Sequence, residues 1–532
     1  MINLKARPCD DLAIRATRTT LSCAKRQKSW ILAASVLGST MAFVDESVVN
    51  VALPRMETDL ATTLSAMTWV INAYTLCMAA LLLIGGSAAD QLGRRMIFLT
   101  GICIFAGASL CCGFAPNAAT LIAARAIQGV GAALLIPCSL AIIGAAFAQN
   151  ERGAAIGIWS GASAIAAGAG PLLGGWLVDH WSWRAIFLIN PVLALPTIWI
   201  VLRHLPESRD PDAPRGLDWG GATLAFGGLG FLVYGLIEAA DRGWHDPLVL
   251  GSILAGGALL IGFVVAEHQG AAPMVPLAVF RSRSFSGVNL LTLLLYGALG
   301  GAMFFLPFLL IQVHGYSATA AGAVFAPFTL VLGLLSRWGG GLVDRFGARG
   351  PLVAGPTVVA GGFLLLALPG VGGSYWTTFL LPMVVLGLGM AITVAPLTTT
   401  VLNSVAQHQT GVASGINNAV ASVASLLLIA VLSTIGVGML NRSLDSRLAG
   451  AQASPAVREV VNAARGGFVV PSMPANTPVQ THQLAHLVIA HSFVDTIRLV
   501  MLIAAALALA SAVAAAFTIK ASPASRESPA TP

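Results

Sequence analysis

Residues 350–441 form a run of 92 positions without a single Asp, Glu, Lys or Arg, and 284–336 form a second of 53. Shorter charge-free runs cover 60–89, 96–124, 126–150, 153–178, 219–237, 247–266 and 499–519. Only 10% of the chain is charged and 56% is hydrophobic, whereas soluble domains carry roughly 25% charged residues. A soluble fold this apolar would lack a wettable surface. In lipid, backbone N–H and C=O groups must be satisfied within the chain, and helices do this segment by segment. The fold class is therefore an all-α polytopic membrane protein.

A crossing helix needs about 20 apolar residues, so the shorter run holds two spans and the longer one three. Cutting at Gly, Pro, Asn and charged clusters predicts 14 span cores: 30–52, 67–87, 96–114, 119–141, 153–178, 185–203, 218–238, 247–266, 285–312, 317–337, 350–369, 376–397, 414–438 and 487–518. With the N-terminus inside, 20 of the 29 basic residues fall on the cytoplasmic side, eight lie on or toward the outside and Arg125 lies within a span. The bias of Lys and Arg toward cytoplasmic loops then predicts both termini in the cytoplasm, and the plasma membrane is the expected location.

The net charge of +7 is spread over many short loops. It reads as topology and contact with anionic lipid, not nucleic-acid binding. The first 29 residues are basic and polar without a short apolar core and cleavage site, so span one serves as an uncleaved signal. The seven Cys all precede residue 139, and no His, Cys or carboxylate cluster has metal-ligand spacing. No disulfide, metal or cofactor is expected. No nucleophile–base constellation suggests an enzyme, and no phosphate-binding loop suggests direct ATP drive. Gly129-x-Gly131 lies inside a span with no strand before it.

The chain repeats itself. Residues 86–95 (GSAADQLGRR) and 340–349 (GGLVDRFGAR) both fit G-x-x-x-D-x-x-G-x-R. They fall in equivalent turns, between spans two and three and between spans ten and eleven. Two related halves with coupling sites near the midplane are a recurring transporter plan. The halves are 30–204 and 280–518, with two inserted spans in 205–279. Residues 1–29 form a cytoplasmic arm, 439–486 an irregular outer loop with a short surface helix near 453–465, and 519–532 a tail.

Asp45 and Glu46 sit near the middle of span one. An ionisable side chain at that depth is expensive and marks a functional site by default. Arg125 lies about six residues into span four, and Asp45 about nine residues before Pro54 at the end of span one. At about 1.5 Å per residue, both lie roughly 9–14 Å below the outer boundary. Asp495 and Arg498, at i,i+3 in span fourteen, are expected to neutralise each other.

On these features the chain resembles the major facilitator superfamily, and within it the fourteen-span drug:proton antiporters. Gly86, Asp90, Gly93, Arg94 and Arg95 resemble motif A, with Gln91 where a base is frequent; the second copy is Gly340, Asp344, Gly347 and Arg349. The resemblance implies a latch that holds the halves in one facing state. Phe43 to Pro54 resembles the first-span signature, departing at Val44, Glu46 and Ser47. It implies that Asp45 couples protons or meets cationic substrate, with Glu46 either a second protonatable group or a side chain facing a watery cavity. Leu121, Arg125, Gln128, Gly129 and Gly131 resemble motif B, and movement of Arg125 against Asp45 would switch proton affinity. Gly157, Gly170, Pro171, Gly174 and Gly175 resemble the antiporter motif C, with Ala166 replacing a glycine. Residues 183–190 resemble the opening of span six, and 411–418 the start of span thirteen.

The resemblance implies the major facilitator fold, two six-helix bundles plus two central helices. It also implies export of amphiphilic organic compounds in exchange for protons. Cavity aromatics would be drawn from Phe43, Trp69, Tyr74, Tyr296, Phe304, Phe305 and Phe308. The partners are a small-molecule substrate, protons and membrane lipid. Import of one organic solute by proton symport, and a non-transporting membrane sensor, remain open on these residues. The two inserted spans carry no readable role.

Overall fold

The computed structural model describes residues 25–147, 149–209, 216–270, 273–405, 410–450, 454–465 and 479–519. The expected arm before residue 25, the tail after 519 and residues 466–478 of the outer loop lie outside them. Among the described residues, fourteen helices are long and apolar enough to cross a membrane. The first half contains span one (Lys25–Asp59), two (Leu64–Leu92), three (Arg94–Gly113), four (Ala118–Ala146), five (Gln149–His180) and six (Ala185–His204). Spans seven (Trp219–Arg242) and eight (Pro247–Gln269) follow. The second half contains span nine (Arg283–Phe308), ten (Ala318–Ala323 and Ala326–Phe346), eleven (Arg349–Leu366), twelve (Leu380–Asn403), thirteen (Thr410–Gly450) and fourteen (Val479–Thr518).

Several helix starts carry a side-chain cap: Asn117 accepts from the Thr120 amide at 2.9 Å, Asp218 from Gly221 at 2.7 Å and Asp246 from Leu248 at 2.8 Å. Each satisfies an amide that has no partner within its helix. The two repeat turns use the same device, a glycine with positive φ: +122° at Gly93 and +69° at Gly347. Only glycine adopts that backbone without strain.

The repeat extends to packing. In the first half span one lies on five and six, two on four, and three on four and six. In the second half nine lies on thirteen and fourteen, ten on twelve, and eleven on twelve and fourteen. The seams between the halves are also paired: span five meets ten, and span two meets thirteen.

Lys25 defines the near face of the bundle; the opposite one is the far face. At the far face spans five and ten touch backbone to backbone. A Cβ on Gly175 would stand 2.1 Å from the Ala318 carbonyl oxygen, and one on Gly322 would stand 2.0 Å from that of Pro171. Asp179, at the end of span five, accepts from the amides of Ala318 (3.0 Å) and Thr319 (2.7 Å), so it caps the first turn of span ten. Toward the near face the two spans part: a Cβ at Gly157, Gly161, Gly333 or Gly341 would meet nothing within 4 Å. The structure is thus closed on the far side and parted between spans five and ten on the near side.

Span seven bridges the halves along the other seam. Its Leu229, Val233 and Ile237 pack with Leu76 of span two and Leu426 and Ala430 of span thirteen. The Thr434 hydroxyl of span thirteen donates to the Leu236 carbonyl of span seven. Span eight leans on span seven, and its Leu254, Ile261 and Val264 are exposed.

Two expectations change. The outer loop is shorter than 439–486, because span thirteen remains helical to Gly450 and span fourteen starts at Val479; the short helix between them is Pro455–Ala463. Asp495 does not pair with Arg498. It binds Arg447 of span thirteen at 2.6 Å and the Ser443 hydroxyl at 2.9 Å, while Arg498 donates through Nε to the Ala367 carbonyl at 3.0 Å. The i,i+3 spacing allowed a local pair, but Arg447 approaches from the facing helix with a terminal nitrogen.

Gly175→Val should hold the far seam apart, because its Cβ has no room beside the Ala318 carbonyl. With Ala318→Cys as reporter, a water-soluble maleimide should then label the cysteine several-fold faster than in the Gly175 parent. Equal rates would remove this glycine from the seam.

Candidate functional site

The site is built on Asp45, whose side chain is fully buried. Its Oδ2 pairs with Nη1 of Arg125. Its Oδ1 accepts from Gln128 Nε2 and from Asn190 Nδ2, both at 2.8 Å. Gln128 and Asn190 also donate to the Ser109 hydroxyl, at 2.7 and 3.2 Å. Arg125 gives a second bond to Gln128 Oε1 at 2.7 Å, and its Nε donates to the Val70 carbonyl at 3.0 Å. Its guanidinium lies over the Tyr74 ring at 4.2 Å and the Phe187 ring at 5.8 Å. Side chains from spans one, three, four and six, and a carbonyl from span two, thus converge on one carboxylate.

Local sequence makes this convergence possible. Arg125 and Gln128 are one helical turn apart, so both face the same way. The motif B glycines let span four approach its neighbours. A Cβ on Gly129 would stand 2.3 Å from the Tyr74 carbonyl, and one on Gly131 would stand 2.7 Å from the Phe105 amide. At the far end, buried Trp183 is followed by Arg184, which binds the Gly113 and Ala115 carbonyls at 3.1 and 2.7 Å. A cation on the exposed carbonyls at a helix C-terminus is favourable, and here it ties span six to span three.

The chemistry of the network is specific. Both Asp45 oxygens accept from N–H donors, an arrangement suited to a carboxylate, which only accepts. A protonated carboxyl would need an acceptor, so adding a proton displaces at least one of these bonds. Burying a pair of charges is expensive, and removing one partner typically costs 3–5 kcal/mol.

Several predicted residues fall elsewhere. Glu46 is exposed and its carboxylate makes no hydrogen bond or ion pair among the described residues, but it lies near enough to Arg125 and Asp45 to feel both charges. Asp90 binds Arg94 through Nη2 at 2.7 Å, and Arg95 binds the Leu202 carbonyl at 3.0 Å. It is Glu207, after span six, that accepts from the Arg95 and Met96 amides at the start of span three, at 3.0 and 3.2 Å. Motif A therefore bonds within the first half and to the segment leading into span seven, where Gln91 also exchanges hydrogen bonds with the Gly216 backbone at 3.1 and 3.3 Å. Gly347 and Arg349 form the second turn; Gly340 and Asp344 lie on span ten (Ala326–Phe346), and the Asp344 side chain is outside the described residues. In motif C, Gly170 and Gly174 face Ser47 and Val48 of span one, Pro171 and Gly175 face span ten, and Gly157 stands free.

The aromatic expectations divide. Phe43 and Tyr296 are partly accessible, and Phe43 meets Trp159 edge-on at 6.2 Å. Trp69 packs toward span seven, 6.3 Å from the Tyr234 ring. Phe304, Phe305 and Phe308 are fully buried. Phe304 contacts the other two at 5.0 and 5.7 Å, so they form core rather than cavity wall. Tyr74 is also buried, beneath Arg125.

Asn190, Ser109 and Asp179 were not singled out from sequence. Asn190 had a signal, because it ends the segment that resembles the opening of span six. Ser109 and Asp179 had none, since each depends on a helix distant in sequence. The second half holds a smaller polar cluster, with Asn417 donating to Asn289 at 3.1 Å and to Thr292 at 2.8 Å.

Arg125→Ala should lower stability by about 3–5 kcal/mol by leaving Asp45 buried and unpaired. Adding Asp45→Asn should restore more than half of the loss. The measurement is thermal unfolding in detergent; additive losses would show that the two groups do not interact.

Residues 35–429 match the family model described as Major Facilitator Superfamily. The chain is 33% identical over 486 residues to the multidrug resistance protein Stp of Mycobacterium tuberculosis, covering 89% of each. It is 32% identical over 511 residues to the tetracenomycin C resistance and export protein of Streptomyces glaucescens, covering 94% of each. Among solved structures, it resembles a bacterial homolog of the human lysosomal transporter Spinster, in an inward-facing and unoccupied conformation. The TM-score is 0.63 at 18% identity, over 92% of this chain and 98% of that one. The chain belongs to the major facilitator superfamily and is a multi-pass membrane transporter, not an enzyme.

Proposed function

We propose that this protein exports amphiphilic organic compounds across the plasma membrane in exchange for protons, with both termini in the cytoplasm. The distribution of basic residues makes the near face cytoplasmic, so the structure corresponds to a cytoplasm-facing state. The names of its relatives, drug and antibiotic resistance proteins, favour export.

The observation that carries proton coupling is that Asp45 is held entirely by donors from other helices. With the far side open, a proton arriving from outside would neutralise Asp45. That would weaken its pair with Arg125 and break a bond to Gln128 or Asn190. Substrate would leave on the same side. After the halves rock, proton loss to the cytoplasm would let Arg125, Gln128 and Asn190 close again on the carboxylate, and substrate would enter between spans five and ten. The interactions gained in the charged form favour one facing state, and such differential interaction is what shifts a two-state equilibrium. Exposed Glu46 stands beside this path, accessible to a cationic substrate.

Inside-out vesicles with an imposed pH gradient test the proposal, with ethidium as substrate. Wild type should collapse part of the gradient on addition of ethidium, and Asp45→Asn should abolish that response. Equal responses in the two proteins would remove Asp45 from proton coupling.

A further inference from the structure

Arg498 stands in a membrane-spanning helix without the acid expected beside it. Asp495 is engaged by Arg447 and Ser443, so the three charged groups leave one net positive charge. Arg498 is anchored through Nε on the Ala367 carbonyl. Its two terminal nitrogens make no hydrogen bond to the described residues. Arg498 is exposed and borders a groove of about 550 Å³ between spans eleven, twelve and fourteen.

The remainder of the groove is apolar. Gly361, Leu364, Leu368, Val385 and Leu502 line it. A Cβ on Gly361 would meet nothing within 4 Å, so the groove extends over this glycine. Gly361 lies six residues before Ala367, about 9 Å deeper toward the midplane. A cation thus sits at the far-face rim with an apolar trough running inward below it. Leu364, Leu368 and Leu502 are 45%, 72% and 44% exposed. Spans eleven and fourteen pack on helices of their own half, so the groove opens to the outer wall of the second bundle, away from the Asp45 network.

We infer that this groove binds one phospholipid of the far-face leaflet, its phosphate on Arg498 and one acyl chain over Gly361. A guanidinium presents paired N–H donors that match phosphate oxygens. At the headgroup level, a guanidinium without a paired acid attracts an anionic headgroup by charge as well as by hydrogen bonding. An acyl chain satisfies the apolar floor, which a water-soluble phosphate would leave empty. The preferred lipid is anionic, because the net charge at the rim is positive and the headgroup brings no amine of its own.

The test is native mass spectrometry of the full-length, delipidated protein titrated with dioleoylphosphatidylglycerol. Wild type should retain one tight lipid. Arg498→Gln should weaken it about tenfold, Arg498→Lys should stay within about threefold of wild type, and Gly361→Leu, which fills the trough, should abolish it. Dioleoylglycerol, with chains and no phosphate, should bind as weakly as the lipid does to Arg498→Gln. Unchanged lipid affinity in either Arg498→Gln or Gly361→Leu overturns the inference, as does displacement of the lipid by millimolar inorganic phosphate. Should Arg498→Gln not remain monodisperse, Gly361→Leu and dioleoylglycerol still decide the question.

Discussion

One carboxylate buried with one guanidinium sets the terms for the first half of this protein. Neither charge could stay in a helical bundle alone, since taking an ion out of water costs several kcal/mol even after relaxation. The pair is tolerated because Gln128, Asn190 and Ser109 fill the remaining hydrogen-bonding positions and the Tyr74 ring covers the cation. The partners come from spans two, three, four and six, so these four spans are fixed relative to span one through Asp45. The glycines of span four follow from the same demand, because its backbone must approach spans two and three closely for Arg125 to reach its place. A change of charge at Asp45 is therefore a change in how five helices are held, and in a tightly packed interior such changes favour discrete rearrangements.

The far seam shows how such a rearrangement stays reversible. Its contacts between spans five and ten are backbone against backbone, made possible by Gly175 and Gly322, with Asp179 supplying a two-pronged cap. Across the other seam, Thr68 bonds Ser433 at 3.2 Å. Asn72, one turn further along span two, is fully buried with neither side-chain group paired among the described residues. The seams between the halves are thus held by close backbone contact and a few hydrogen bonds.

Much of this organisation was legible from the residues. Charge-free runs gave the span count because lipid leaves little choice of backbone structure. The two G-x-x-x-D-x-x-G-x-R segments gave the repeat because each turn needs a glycine at a fixed place. Counting residues from the span ends placed Asp45 and Arg125 at one depth, and they do meet. What remained hidden depended on rotation of helices about their own axes. Depth along a helix can be counted, but the face turned toward a neighbour cannot be read where almost every residue is apolar. Phe304, Phe305 and Phe308 therefore looked like cavity aromatics and proved to be core. Asp495 looked paired with Arg498 on its own helix and instead joins Arg447 across a seam. Asp179 was not singled out at all, because its partners lie 139 and 140 positions away.

Span seven has a geometric consequence for traffic through the bilayer. A two-bundle transporter without inserted helices has two flanks, one on each side of the interface, and a greasy molecule could slip in sideways through either. Here one flank is plugged by a helix that grips both bundles, with side chains from spans two, seven and thirteen packed as a continuous wall and a hydroxyl of span thirteen fastened to the backbone of span seven. Among the described residues the other flank, between spans five and ten, carries no such helix and is parted on the side facing Lys25; for an exporter of membrane-dissolved compounds, sideways entry from the bilayer would then be confined to that flank.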